Sequence, residues 1–241
     1  MANLIQLDSR LSLAFDLYDS CELAADIGTD HAHLPAALLQ RGRCQHMILT
    51  DISESALENA RMEMIRLRLT DRVSLRLGDG LSPVTEKCGM ISIMGMGGRT
   101  IRNILVTGAD CLQGASLLLS AHTDWHLIRT AVRDTGYHLD REEPCFAAGR
   151  YYLVLRACPG AGSLTAQEIR LGGPLFRSES PVLIPVLRRR REVLQEHLRG
   201  LLAASSPDET EIHMLRKDLE YYDAFLASHS RPDSLFPFQL H

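Results

Sequence analysis

Ala24-Ala25-Asp26-Ile27-Gly28-Thr29-Asp30-His31 is the stretch on which the reading of this chain turns. It is an apolar run that ends in an acid and a glycine and leads into a helix-like segment, Leu34–Gln40. A second apolar run ends in Thr50-Asp51, which puts Asp51 23 residues after Gly28. A strand, a glycine turn, a helix and then an acid at about this spacing describe a nucleotide-binding βαβ unit. The glycine lets backbone approach a ligand closely, and the later carboxylate accepts from both hydroxyls of a ribose. A third run, Val73–Leu77, ends in Gly78-Asp79-Gly80, so Asp79 is expected to meet an adenine.

The classical dinucleotide fingerprint has further glycines after the first. Here those places hold Asp30, His31 and Ala32. Asp30 would repel a pyrophosphate at a helix N-terminus. Three acids at three strand ends therefore suit an adenosine ligand without phosphates. S-adenosylmethionine fits, with its adenosine, its sulfonium cation and its amino-acid end.

The 241 residues allow one large domain, or a core domain with an appendage. Hydrophobic content of 45% and charged content of 23% are ordinary for a globular enzyme. A net charge of −4 excludes a wholesale electrostatic nucleic-acid binder, leaving Arg188-Arg189-Arg190-Arg191 as the one obvious basic cluster. That run reads either as a solvated helix face or as an RNA phosphate contact. The six cysteines show no Cys-x-x-Cys spacing, so they are expected to be reduced thiols in a cytoplasmic protein, with no metal site. No signal peptide or membrane-spanning run is visible.

Along the chain, strands are expected at 23–27, 46–50, 73–77, 90–94 and 116–120, alternating with helices. A hairpin of 138–146 and 151–157 around Gly149-Arg150 completes a parallel α/β sheet with an antiparallel end. Ligand sites in such sheets lie at the carboxyl ends of the strands, where every glycine- and acid-rich motif falls. Pro159–Ser163 reads as a linker, giving a domain over 1–160 and a helical one over 164–229. Leu187, Leu194, Leu198 and Leu201, then Ile212, Leu215, Leu219, Tyr222 and Leu226, repeat in steps that suit an antiparallel coiled-coil hairpin over 180–228. Ser206, Pro207 and Glu209 are expected to cap the second helix, and the tail 230–241 to be irregular.

Ala25–Pro35, Gly78-Asp79-Gly80-Leu81 and Met94-Gly95-Met96-Gly97-Gly98 together resemble the bacterial tRNA (adenine-22, N1)-methyltransferase family. Leu171-Gly172-Gly173-Pro174-Leu175 resembles the segment that opens that family's second domain. The resemblance implies a class I, Rossmann-like, seven-stranded sheet with a C-terminal coiled coil. It implies S-adenosylmethionine as cofactor and tRNA as partner, and a monomer is expected. The cofactor residues it points to are Asp26, Gly28, His31, Asp51, Ile52, Asp79, Gly80, Met94 and Gly95. Plainer readings make His31 and His33 structural hydrogen bonders and Met94 and Met96 core.

Asp30 is the candidate catalytic residue, because it follows the cofactor loop and has no evident structural duty. Two departures stand out. The family usually has Gln-Pro-Asn after the fifth strand, and this chain has Ser120-Ala121-His122, in the loop where a target base would lie. Its turn after Asp51, Ser53-Glu54-Ser55, also differs from the usual one. The alternatives are a methyltransferase acting on another RNA site or a small molecule, and a non-catalytic S-adenosylmethionine- or RNA-binding relative.

Overall fold

The structure, a computed structural model, describes residues 4–229. They divide into two compact units that meet at Ser180/Pro181. In the first, α1 (Ser9–Asp16) leads to β1 (Cys21–Ile27), α2 (His33–Gln40), β2 (Cys44–Asp51), α3 (Glu54–Leu67) and β3 (Val73–Leu77). Then follow β4 (Met90–Met96), α4 (Gly98–Thr107), β5 (Ser116–Ala121), α5 (Trp125–Asp134), β6 (Tyr137–Ala147), β7 (Arg150–Pro159) and α6 (Ala166–Leu171). The seven strands form one sheet in the order β3-β2-β1-β4-β5-β7-β6.

The first five strands are parallel, and β7 runs antiparallel to both β5 and β6. This is a Rossmann-like α/β fold. The strand order reverses between β1 and β4, and the crevice above their carboxyl ends is where such sheets bind ligands.

The elements follow from local chemistry. β1 and β2 bury continuous runs such as Met47, Ile48 and Leu49, as strands covered on both faces must. Each such side chain contributes about 1.5–3 kcal/mol of burial. α3 begins where expected, with the Ser53 hydroxyl accepting from Ala56 N, and stops at Arg68, which takes a left-handed conformation. Most strands run one or two residues beyond their sequence-expected ends, because pairing with a neighbour continues past the apolar run.

The first unit continues past β7. Arg129 of α5 and Glu142 of β6 form a fully buried ion pair at 2.5 Å. Arg129 also donates to the Ile169 and Arg170 carbonyls at the end of α6, and Glu142 accepts from Leu175 N at 3.0 Å. These contacts hold 166–177, including the Leu171–Leu175 segment, onto the sheet.

In the second unit, α7 (Leu183–Leu202) and α8 (Glu209–Ser228) form the expected hairpin. Arg191 pairs with Asp223, and His197 lies 3.5 Å from Glu211. As one helix advances the other recedes, so the two are antiparallel. Ile212, Leu215 and Tyr222 are buried in α8, as the seam requires. The cap of α8 is a correction to the sequence reading. Asp208, not Ser206, is the N-cap, its carboxylate accepting from Thr210 N at 2.9 Å and Glu211 N at 3.1 Å. One carboxylate satisfies two first-turn donors there, so Pro207 lies ahead of the helix. The tail 230–241 lies outside the described residues.

Candidate active site

Each parallel strand brings one motif to the carboxyl edge of the sheet. β1 ends at Ile27, and Gly28 and Thr29 both donate to the Thr50 carbonyl, at 2.8 and 3.1 Å, which ties the β1 turn to the end of β2. Gly28 adopts φ +72°, and a Cβ there would fall 2.0 Å from Met96 Cε. The positive φ favours glycine here, and the flexible end of Met96 lies against the space that its missing side chain leaves. Asp30 (φ +42°) and Ala32 (φ +52°) also sit in the left-handed region within the same turn. Ala32 has no polar side chain to compensate for that strain, and such outliers gather at ligand-facing loops.

Asp26 is buried at the end of β1, where Oδ1 accepts from Ser92 Oγ of β4 at 2.5 Å. Burial raises its carboxyl above the usual range, the Ser92 and Thr29 hydroxyls oppose the rise, and the nearby Asp51 charge adds to it. An acid raised in this way contributes stability at low pH that is lost as pH rises through its folded pKa. A cation bound beside it would reverse that loss.

Asp51, at the end of β2, accepts from Ser53 N at 2.9 Å through Oδ1, while Oδ2 lies 3.4 Å from Asp30 N. Its carboxylate is thus oriented and keeps acceptor capacity for a ligand. Asp79 is exposed in the turn after β3, where its carbonyl accepts from Ser82 N and Oγ at 3.2 and 2.7 Å. Arg76 closes the same loop. It donates to the Pro83 carbonyl at 2.8 Å and pairs with Glu86 at 2.6 Å, which holds the Glu86 carboxyl down to about 2.

Two adjoining cavities open over this edge. One, of about 270 Å³, is lined by Arg10, Asp26, Asp30, His31, Met94 and Gly95 among others. The second, of about 520 Å³, is lined by Ile52, Asp79, Gly80, Asn103, Ile104 and their neighbours. Both are bounded by Gly28, Asp51 and Met96. The pair is therefore a bipartite cleft with an acid at its waist. At its far side, α4 presses on the turn after β5: a Cβ on Gly98 would lie 2.5 Å from the Asp124 carbonyl and 2.6 Å from that of Thr123. Among the described residues, no three His, Cys, Asp or Glu side chains converge to hold a metal.

A family model described as a methyltransferase domain matches residues 7–155. The chain belongs to the methyltransferase family.

The tRNA (adenine(22)-N(1))-methyltransferase of Bacillus subtilis (strain 168) is 31% identical to it over 184 residues, 73% of this chain and 77% of that protein. Streptococcus pneumoniae Sp1610, assigned to tRNA (m1A22) methylation and solved in complex with S-adenosyl-L-methionine, is 26% identical. It superposes with a TM-score of 0.80 over 92% of this chain and 100% of that one. The B. subtilis tRNA methyltransferase TrmK, 24% identical, shares the fold with a TM-score of 0.81 over 92% of this chain and 99% of its own.

In this methyltransferase all ten residues singled out from the sequence line one or other half of the cleft. Asp26, Asp30, His31, Met94 and Gly95 face the smaller cavity, and Ile52, Asp79 and Gly80 the larger. Gly28 and Asp51 border both. Sequence reasoning missed Arg10, which reaches the cleft from α1 and has no motif around it. It also missed Thr100, Asn103, Ile104 and Thr107, which line the larger cavity. Their spacing of three, one and three marks one face of α4 just after the Gly97-Gly98 turn, and that periodicity was legible. Of the departing triplet, Ser120 and Ala121 are buried in β5 and His122 is exposed just beyond it.

Proposed function

We propose that this chain transfers a methyl group from S-adenosylmethionine to N1 of an adenine in tRNA, at position 22. The observation that carries the reading is the bipartite cleft with Asp51 at its waist and Asp30 in the turn after β1. The methyltransferase relatives at 31% and 26% identity supply the substrate and the cofactor.

The residues present suit that cofactor. Asp51 would accept from the ribose hydroxyls. Asp79, Gly80 and the exposed Ile52 would border the adenine in the larger cavity, opposite Asn103 of α4. The cationic end would lie in the smaller cavity near Asp26, whose buried carboxylate gains from a neighbouring positive charge. Gly28, His31, Met94 and Gly95 would wall the cleft. When bound, S-adenosylmethionine supplies a methyl carbon made electrophilic by its sulfonium.

Adenine N1 carries an in-plane lone pair, so the protein's share of the work is alignment and exclusion of water. Methylation leaves a positive charge on the base. The exposed Asp30 carboxylate, in the strained turn at the cleft mouth, is the group we assign to stabilise that charge or to take a proton from the exocyclic amine. A base held within folded RNA must be extruded to reach the cleft, at a cost of a few kcal/mol. We assign grip on the RNA backbone to the helical residues beyond the core, with Arg188–Arg191 as the contacts. The protein is proposed to act as a cytoplasmic monomer. Among the described residues, no helix is long and apolar enough to cross a membrane.

The deciding experiment supplies labelled S-adenosylmethionine and tRNA lacking the modification, then maps the label by mass spectrometry of nuclease fragments. Label at N1 of adenine 22 is expected. Label at another nucleotide, or none on RNA, overturns the assignment.

A further inference from the structure

Cys21 opens β1 and Cys44 opens β2, and the two are register partners in the parallel sheet. Their side chains share one face of it, with the Sγ atoms 3.6 Å apart. Both are free thiols. The pair stands at the amino ends of the strands, opposite the edge that carries the cleft, so the proposed chemistry makes no use of it. Cys44 follows Cys21 by 23 residues with no Cys-x-x-Cys signature, and only the sheet brings them together.

The two thiols differ in the ways a redox pair requires. Cys21 is partly exposed and Cys44 is buried. The hydrogen bond with Cys44 holds the Cys21 thiol below its ordinary pKa, against partial burial and the Asp19 charge, which push it up. The same contact, together with burial, pushes the Cys44 thiol up. Cys21 is thus the readier thiolate, with a protonated partner behind it. Space is left beside it: a Cβ on Gly89 would lie 2.6 Å from Cys21 Cβ and 3.5 Å from its Sγ. Gly89 also borders an open depression of about 650 Å³, with Glu22, His46, Lys87 and Cys88 in its lining.

A buried cysteine often serves only as a small apolar side chain, and Cys44 does sit in the hydrophobic core. That role gives no reason for a second, partly exposed sulfur in contact with the first. Neighbouring strands lie about 4.8 Å apart, within the Cα separation of about 4.4–6.8 Å that a disulfide spans. The sulfurs need to close by only about 1.5 Å to reach bonding distance. We infer that Cys21 and Cys44 are a hydroperoxide-reactive pair that closes into a reversible disulfide. The Cys21 thiolate attacks a peroxide oxygen, an S–O bond forms, the O–O bond breaks, and the leaving oxygen takes a proton. Cys21 becomes a sulfenic acid, oxidised by two electrons as the peroxide is reduced. Cys44 then loses its proton and attacks Cys21 Sγ. The S–S bond forms, the S–O bond breaks, and the hydroxyl departs with a proton as water. A thiol reductant reverses the bridge, as for the transient disulfides met in reducing compartments. The closed loop contains α2 and the Gly28 turn.

The test uses the full chain, the Cys21→Ser and Cys44→Ser variants, and hydrogen peroxide at low molar excess. The oxidised parent is expected to lose about 2 Da and two of its six free thiols, and dithiothreitol to restore both. Peptide mapping is expected to join Cys21 to Cys44. In Cys44→Ser, dimedone is expected to label Cys21, whose sulfenic acid has lost its resolving thiol. In Cys21→Ser the loss of about 2 Da is expected to disappear. A parent that keeps six thiols under peroxide overturns the inference. So does a bridge from Cys21 to Cys88 or to a second chain, or a dimedone label in Cys44→Ser that falls on another cysteine. None of these readouts involves methyl transfer, so their failure leaves the proposed function intact.

Discussion

Asp30 and Asp51 meet at a single weak contact, Asp30 N to Asp51 Oδ2 at 3.4 Å, yet the proposed chemistry separates their duties. Asp51 is anchored by Ser53 N and offers its remaining lone pairs to the larger part of the cleft. Its loss removes charge-assisted contacts worth about 1.5–3 kcal/mol each. Losing even one of them corresponds to about 10- to 150-fold, so Asp51→Ala is expected to weaken S-adenosylmethionine binding by at least about 10-fold by calorimetry. Asp30 is exposed, held only by its turn and by His31 Nε2 at 3.6 Å. Asp30→Asn is expected to lower single-turnover methylation while cofactor affinity stays within a few-fold. If its loss appears only in cofactor affinity, Asp30 belongs with the cofactor residues, and normal turnover would make it structural.

At the scale of elements, the loop after β3 shows how a surface ion pair can serve a site. Arg76 donates to the Pro83 carbonyl and pairs with Glu86, closing the turn that carries Asp79. The lowered Glu86 carboxyl keeps this pair charged at neutral pH. Its contribution is present above the unfolded carboxylate pKa and is lost only as pH falls toward about 2. An exposed pair adds little to global stability. Arg76→Ala is thus expected to leave the melting temperature within a few degrees, yet to raise amide exchange across residues 78–86 and the KM for S-adenosylmethionine. Unchanged exchange in that loop would show that the Ser82 contacts to the Asp79 carbonyl suffice.

At the scale of the molecule, the buried Arg129–Glu142 pair joins α5, β6 and the segment 166–177 into one unit. Removing one partner leaves the other charge buried without compensation, at a cost of about 3–5 kcal/mol. Glu142→Gln is expected to lower denaturant stability by about that amount, whereas Arg129→Met/Glu142→Leu, which removes both charges, loses less. Equal losses in the two variants would assign the stabilisation to packing and not to charge.

The sequence by itself determined the alternation of strands and helices, the antiparallel end of the sheet, the coiled-coil seam and ten of the residues that line the cleft. Each of these is written in local periodicity or in a glycine-acid turn, and strand ends of a parallel sheet converge without further instruction. The cap of α8 escaped because Ser206 and Asp208 are equally good caps as isolated residues, and only the helix start distinguishes them. Tertiary structure alone decided the rest. Arg10 reaches the cleft because α1 packs over the sheet, and Ser92 meets Asp26 because β4 lies beside β1 across 66 residues of chain. The first unit extends to Ser180 because a buried ion pair, formed between residues with no motif to announce them, draws 166–177 onto β6. Contacts between residues distant in sequence depend on which faces meet, and that is settled by packing and not by pattern.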